Sequence, residues 1–151
     1  MRRGQAAIEY LIILAVVVII ALIVIGVIGG FPGMTRGVSE RDSAAYWAGA
    51  DIGITRYYLS NGTTTSQLVL RNNRLFQVNV STITFDGSSV FATATPLAPG
   101  SSTSVNLTAA ACATSGQTST HNVVITYKDA TYGVTYTFTG EKPLVGTCQS
   151  N

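Results

Sequence analysis

Charge is scarce in this chain. Only 11% of the 151 residues are Asp, Glu, Lys or Arg, and nine basic against seven acidic residues leave a formal net charge of +2. No basic stripe is present to follow a phosphate backbone, which excludes nucleic acid as a partner. Histidine is nearly absent. His121 is the only one, so two-histidine metal sites and histidine acid/base pairs are ruled out. A Ser-His-Asp triad remains arithmetically possible, but no serine stands in a G-x-S-x-G setting, and Asp51, Asp86 and Asp129 fall at turns or strand starts. A phosphate-cradling glycine loop is missing too. The expectation is a protein that is not an enzyme and carries no cofactor and no metal.

Cysteine is equally sparse, with Cys112 and Cys148 alone. They lie too far apart for a CxxC motif and, beside one histidine, offer too few ligands for structural zinc. One disulfide in an oxidising compartment is the first reading, and two unrelated buried thiols the alternative. Three N-x-[ST] sequons, at Asn61, Asn79 and Asn106, also point outside the cell. Threonine-rich stretches such as Thr63-Thr64-Thr65 suit O-glycans and suit strands and turns equally well.

What the chain has in quantity is an apolar run. Residues 10–35 hold no charged side chain, and 11–28 are mostly Leu, Ile, Val and Ala. Eighteen to twenty helical residues at about 1.5 Å each cover most of a hydrocarbon core of about 30 Å. Arg2 and Arg3 precede the run and account for the whole net charge, so the positive-inside rule places them in the cytoplasm and the rest outside. No A-x-A cleavage pattern follows, which keeps the helix on the mature protein. Glu9 stands at the edge of this run, where a carboxylate calls for a partner or a task.

After the run, Gly29-Gly30-Phe31-Pro32-Gly33 predicts a break or elbow. Ser39 as a cap with Asp42 in the first turn predicts a short helix over 40–48, carrying Tyr46 and Trp47. Beyond Asp51 the period changes to two. Strands are expected over 67–72, 77–85 with a bulge near Ser81 and Thr82, 90–94, 104–107, 123–127 and 131–138, led in by 52–60. In the last of these Tyr132, Val134, Tyr136 and Phe138 should form a buried face, joined to the preceding strand by a short turn at 128–130. Trp47, Tyr57 and Tyr58 either make a binding patch or finish the core. The whole reads as α+β: a long N-terminal hydrophobic helix and an all-β, Ig-like β-sandwich head of about seven short strands. The division is 1–4, 5–30 for the helix, 31–50 for the elbow and short helix, and 51–151 for the head.

The octet Gly4-Gln5-Ala6-Ala7-Ile8-Glu9-Tyr10-Leu11, with basic residues before it and an apolar helix after, resembles the class III signal peptide of archaeal type IV pilins. Gln5, Ala7, Glu9 and Leu11 fit that pattern, although Ala7 stands where serine is frequent. In the head, Tyr58-Leu59-Ser60, the stretch 68–73, Leu97-Ala98-Pro99-Gly100 and the stretch 140–148 are similar to strand and end motifs of the same pilins. The resemblance implies that 1–4 is removed by a prepilin peptidase between Gly4 and Gln5. It also implies delivery from the membrane through a membrane platform and an assembly ATPase, and a helical homopolymer as the product. Glu9 would then meet the new amino group of Gln5 on a neighbouring subunit, or else sit among headgroups or be read by the peptidase. The function implied is that of a structural subunit of an adhesion filament. A membrane-anchored extracellular binding module or minor pilin is the alternative. An archaellum subunit ranks lower, because its signal has small apolar residues where Gln5 and Glu9 stand.

Overall fold

A computed structural model describes residues 2–29, 32–62, 66–109 and 111–150, and of 2–7, 25–29 and 32–38 it gives the backbone alone. The class is α+β, in two compact units, Met1–Gly37 and Val38–Asn151. Helix α1 spans Arg2–Gly29. Of the break expected over Gly29-Gly30-Phe31-Pro32-Gly33, Gly29 ends α1, Pro32 and Gly33 belong to the next helix, and Gly30 and Phe31 lie outside the described residues.

Helix α2 runs Pro32–Ala48, so the expected cap at Ser39 is overturned. Proline read as a breaker is here the first helical residue, where its fixed φ suits the helix and its missing N–H would have had no partner anyway. Glu40, Ser43, Ala44 and Trp47 are buried or half-buried while Arg41, Asp42 and Ala45 are exposed, a stripe of helical period. The polar members of the stripe are tied to the closing strand region. Ser43 Oγ donates to Pro143 O and accepts from Val145 N, both at 2.9 Å, and Thr147 donates to Glu40 at 2.6 Å.

Ten strands follow: β1 Ile52–Tyr58, β2 Gln67–Asn72, β3 Val78–Phe85, β4 Ser88–Phe91, β5 Thr95–Leu97, β6 Ser102–Asn106, β7 Thr118–His121, β8 Val123–Asp129, β9 Thr135–Thr139 and β10 Leu144–Thr147. They form antiparallel sheets ordered β1-β2-β6, β10-β7 and β4-β3-β8-β9, with β5 also on β3. One hydrophobic core draws on all three sheets and on Trp47 of α2. The bulge expected near Ser81 is present as a register shift between Val80 and Thr82, and the Ser81 hydroxyl bonds Thr126 O at 2.9 Å. Asp86 and Gly87 both take positive φ, 51° and 84°, and join β3 to β4 in a two-residue turn whose twist suits a hairpin.

Three strand expectations change. The strand expected over 90–94 is present only to Phe91, as the end of β4; 92–94 are in no strand, and β5 follows on the same side of β3, with Pro96 on the edge, where it removes no interior ladder bond. β7 is an added strand, since Thr118-Ser119-Thr120-His121 carries no apolar alternation; its partner β10 falls within the stretch 140–148. The turn before β9 is longer than 128–130. Asp129 accepts from the N–H groups of Thr131 and Tyr132, and Gly133 at φ 71° bonds back to Asp129 O, so Tyr132 and Val134 fall in the connection and not in the ladder. Tyr132 is 83% exposed, Val134 48% and Tyr136 36%; of the expected buried face only Phe138 is half-buried, edge-on to Trp47, while the exposed Tyr136 stacks on Tyr127.

Trp47 is fully buried between Tyr46 and Phe138. Its indole N–H has no hydrogen-bond partner among the described residues, so packing alone holds the ring. A methyl group on Gly140 would stand 2.3 Å from that ring, whereas one on Gly87 meets open space and only backbone strain. Gly140→Ala is expected to lower stability by about 1–3 kcal/mol through overpacking. Gly87→Ala, costing roughly 1–2 kcal/mol for its left-handed φ, is the strain control. Denaturant midpoints separate the two, because a smaller companion substitution, Trp47→Phe, should relieve the Gly140→Ala cost and leave that of Gly87→Ala untouched. Equal costs with or without Trp47→Phe would sink the steric reading.

At the start of β1, Asp51 accepts from Arg74 at 3.2 Å through both oxygens and from the Tyr127 hydroxyl at 2.9 Å. Burial, then the bond to Asp51 and its charge, push the Tyr127 phenol up from 10.0 to about 12. The folded protein therefore holds this proton more tightly than the unfolded chain does. The resulting stability is complete below pH 10 and disappears as pH rises from about 10 to about 12. Tyr127→Phe should flatten that alkaline loss, measured as the denaturation midpoint against pH. An unchanged slope would count against this origin.

Candidate functional site

Helix α1 offers one continuous apolar surface. Its described large side chains from Ile8 to Val24 are between 47% and 66% exposed, with no stripe of burial along the helix. A helix apolar on every side must be covered on every side, by lipid or by other helices. The described side chains, Ile8 to Val24, extend over about 25 Å of helical rise. Among the described residues no helix is long and apolar enough to cross a membrane. Glu9 is exposed at the N-terminal border of this surface, one position before Tyr10. Gly4 and Gln5 lie in the same helix by backbone, and their side chains are outside the described residues.

The head presents the remaining sequence-predicted positions. Cys112 and Cys148 are joined, with Cα atoms 5.9 Å apart and a sequence separation of 36. Asn61 is exposed in the loop after β1, and Asn106 is exposed at the end of β6. Asn79 is half-buried on the central strand β3, opposite Lys128 of β8 and Pro96 of β5. The threonines 63–65 lie outside the described residues. Trp47, Tyr57 and Tyr58 do not gather into one patch. Trp47 is core, the Tyr57 hydroxyl donates to Val145 O at 2.6 Å, and the 40%-exposed Tyr58 donates to Ser150 O at 3.1 Å. Burial, and after it the nearby Glu40 carboxylate, raise the Tyr57 phenol.

His121 occupies a setting that sequence reasoning left unassigned. Its Nδ1 lies 2.8 Å from Asp86 Oδ2 and its Nε2 2.7 Å from Ser119 Oγ. Phe85 stacks on the imidazole with centroids 4.8 Å apart. Asp86 also accepts the Asn122 N–H at 2.8 Å; that bond above all holds its carboxyl below the usual range, against the opposing effect of burial, and the bond and charge of His121 add to the lowering. The signal available in sequence was S-x-H within one strand, since residues two apart share a face. Asp86 could not be paired with it without the sheet topology.

Residues 2–28 match the family model of the class III signal peptide. The matched span takes in the two arginines, the octet with Glu9, and most of α1. The match supports a type IV pilin-like precursor, or an archaellin-like secreted subunit, and with it processing by a prepilin peptidase and handling by pilus assembly machinery in general. A comparison with curated proteins returns no match for the chain.

Proposed function

We propose that this protein is the structural subunit of an archaeal type IV pilus, a filament for adhesion that polymerises through α1 on the cell surface. The observation that carries the reading is the coincidence of two facts on one segment: the class III signal match over 2–28 and an all-round exposed apolar surface over the described part of α1. Such a helix dissolves in lipid as a reservoir and packs against copies of itself in a fibre core. Cleavage between Gly4 and Gln5 removes Arg2 and Arg3 and leaves seven basic against seven acidic residues, a neutral subunit suited to close stacking. The role is structural and not enzymatic. Glu9 pairs with the amino group of Gln5 on an adjacent subunit, and the partners are a prepilin peptidase, a membrane platform, an assembly ATPase and further copies of the chain.

The head is proposed to be an Ig-like sandwich, a reading supported by its antiparallel sheets around one core. Asn61 and Asn106, both exposed, are the favoured glycan acceptors, ahead of the half-buried Asn79. One observation favours the second reading, a membrane-anchored binding module or minor pilin: the exposed aromatic surface around β9, with Tyr132 and Tyr136, suits a partner.

Shearing cells and analysing the released fraction by mass spectrometry tests the assignment. A polymer subunit dominates that fraction, begins at Gln5 and keeps its apolar helix. A chain that stays with the membrane favours the second reading. A mature start beyond Ile28 overturns both.

A further inference from the structure

We propose that Ser119 is an activated nucleophile that takes up an acyl group from small activated esters, with His121 as its general base and Asp86 as the carboxylate that orients the imidazole. The distances of 2.7 and 2.8 Å along Ser119–His121–Asp86 lie within the range in which a base draws a proton from a hydroxyl and a third group fixes the base. Three separate features of the chain maintain this arrangement. Ser119 and His121 share one face of β7, opposite Gly146 and Leu144 of β10. The positive-φ pair Asp86 and Gly87 turns the chain so that the Asp86 carboxylate faces β7, and two bonds to Asn122 pin that turn: Asp86 N–H donates to Asn122 O, and Asn122 N–H donates to the Asp86 carboxylate. Phe85 stacks against the ring and keeps it from rotating freely.

Access is present as well. Ser119 lines a cavity of about 170 Å³ whose other walls include Gln117, Thr118 and the Cys112–Cys148 bridge. That volume suits an acetyl-sized group and is below the range of drug-sized sites. The Ser119 hydroxyl has a competing acceptor, Ala111 O, at the longer distance of 3.3 Å. With neutral His121, the Nδ1–H donates to Asp86 and Nε2 is free to accept the hydroxyl proton. With protonated His121, Nε2–H donates to Ser119 Oγ and the hydroxyl turns to Ala111 O. The reactive form is thus the neutral one. The only charged group seen against the imidazole among the described residues is the Asp86 carboxylate; its other neighbours are the Phe85 ring and the Ser119 hydroxyl.

The step balances within the site. Ser119 Oγ bonds to the ester carbonyl carbon while its proton passes to His121 Nε2; the ester C–O bond then breaks, and the leaving alkoxide takes that proton away. An acyl ester on Ser119 and a free alcohol result, with no oxidant, reductant or metal involved. This reactivity stands apart from the assembly reading, since none of its residues belongs to α1.

The probe is an alkyl fluorophosphonate, on which the same Oγ attacks phosphorus, forming an O–P bond as the P–F bond breaks and the hydroxyl proton passes to His121, applied to the full-length chain in detergent. One adduct per chain on Ser119, located by peptide mass spectrometry and not formed when the chain is denatured before the probe is added, is the expected result. His121→Gln should slow labelling on the order of 100-fold, the scale of a lost general base. Asp86→Asn should slow it less, because that carboxylate is half exposed. Labelling of Ser119 no faster than of other serines, or unchanged in a folded His121→Gln chain, overturns the proposal. Should His121→Gln unfold the head, the unmutated chain still decides. Its labelling rate should climb with pH and then level off as the base becomes neutral, whereas a rate rising in proportion to hydroxide throughout means that the three residues are a structural tie only.

Discussion

Replacing both Cys112 and Cys148 by alanine will lower the unfolding free energy of the protein by about 4 kcal/mol. The bridge closes a loop of 36 positions, and the chain-entropy relation gives about that figure for a loop of this length. The loop holds β7, β8, β9 and β10, so an open chain must find the β8 pairing with β3 and the β10 pairing with β7 without a tether. Local bonds at the bridge survive its loss: Cys148 N donates to Gln117 O at 2.8 Å and Gly116 N to Cys148 O at 2.7 Å. The native arrangement should therefore persist, with the effect falling on the unfolded state. The double variant should keep the wild-type β-rich circular dichroism and show a lower denaturant midpoint. A loss under about 1 kcal/mol would mean that the unfolded chain already holds this loop compact.

The parts of this fold visible in the sequence are those written in short-range chemistry. Asp86-Gly87 is a turn in any context that allows positive φ, and the phase change between Val80 and Ile83 marks a bulge whatever lies beside the strand. The α1 run and the octet before it are legible for the same reason, because composition alone dictates an all-apolar helix. Long-range pairing decides the remainder. β7 exists because β10 lies beside it, not because Thr118-Ser119-Thr120-His121 prefers a strand. Tyr132 and Val134 alternate as a strand face should, yet Asp129 captures the backbone N–H groups of Thr131 and Tyr132 and turns both apolar residues out of the ladder. Pro32 shows the opposite error: its helix-breaking reputation concealed its fitness for a first turn. The Ser119, His121 and Asp86 cluster needed all of these long-range facts together.

Glu9→Gln will be processed and inserted as the native chain is, yet will assemble poorly. In the proposed fibre, Glu9 faces the amino group that cleavage creates on Gln5 of a neighbouring subunit, and the substitution removes the attraction while keeping the shape. In the single chain Glu9 is exposed, on the border of the apolar surface that the proposed fibre would cover. Burial on assembly is what gives the pair its strength: in partly dry surroundings such a pair is worth a few kcal/mol, against under about 1 kcal/mol in water. A subunit out of register would bury an unpaired carboxylate, so the same residue rejects wrong placements as well as favouring the right one. Filament yield in the sheared fraction is the measurement. Wild-type yield from the variant means that the carboxylate is incidental, and accumulation of uncleaved precursor means that the peptidase reads it. The state of Gln5 supplies an independent check, since an N-terminal glutamine that cyclises to pyroglutamate loses its amine. The pairing requires an open Gln5 in the mass spectrum of the fibre; a cyclised one refutes the pairing while leaving the proposal of a filament built through α1 in place.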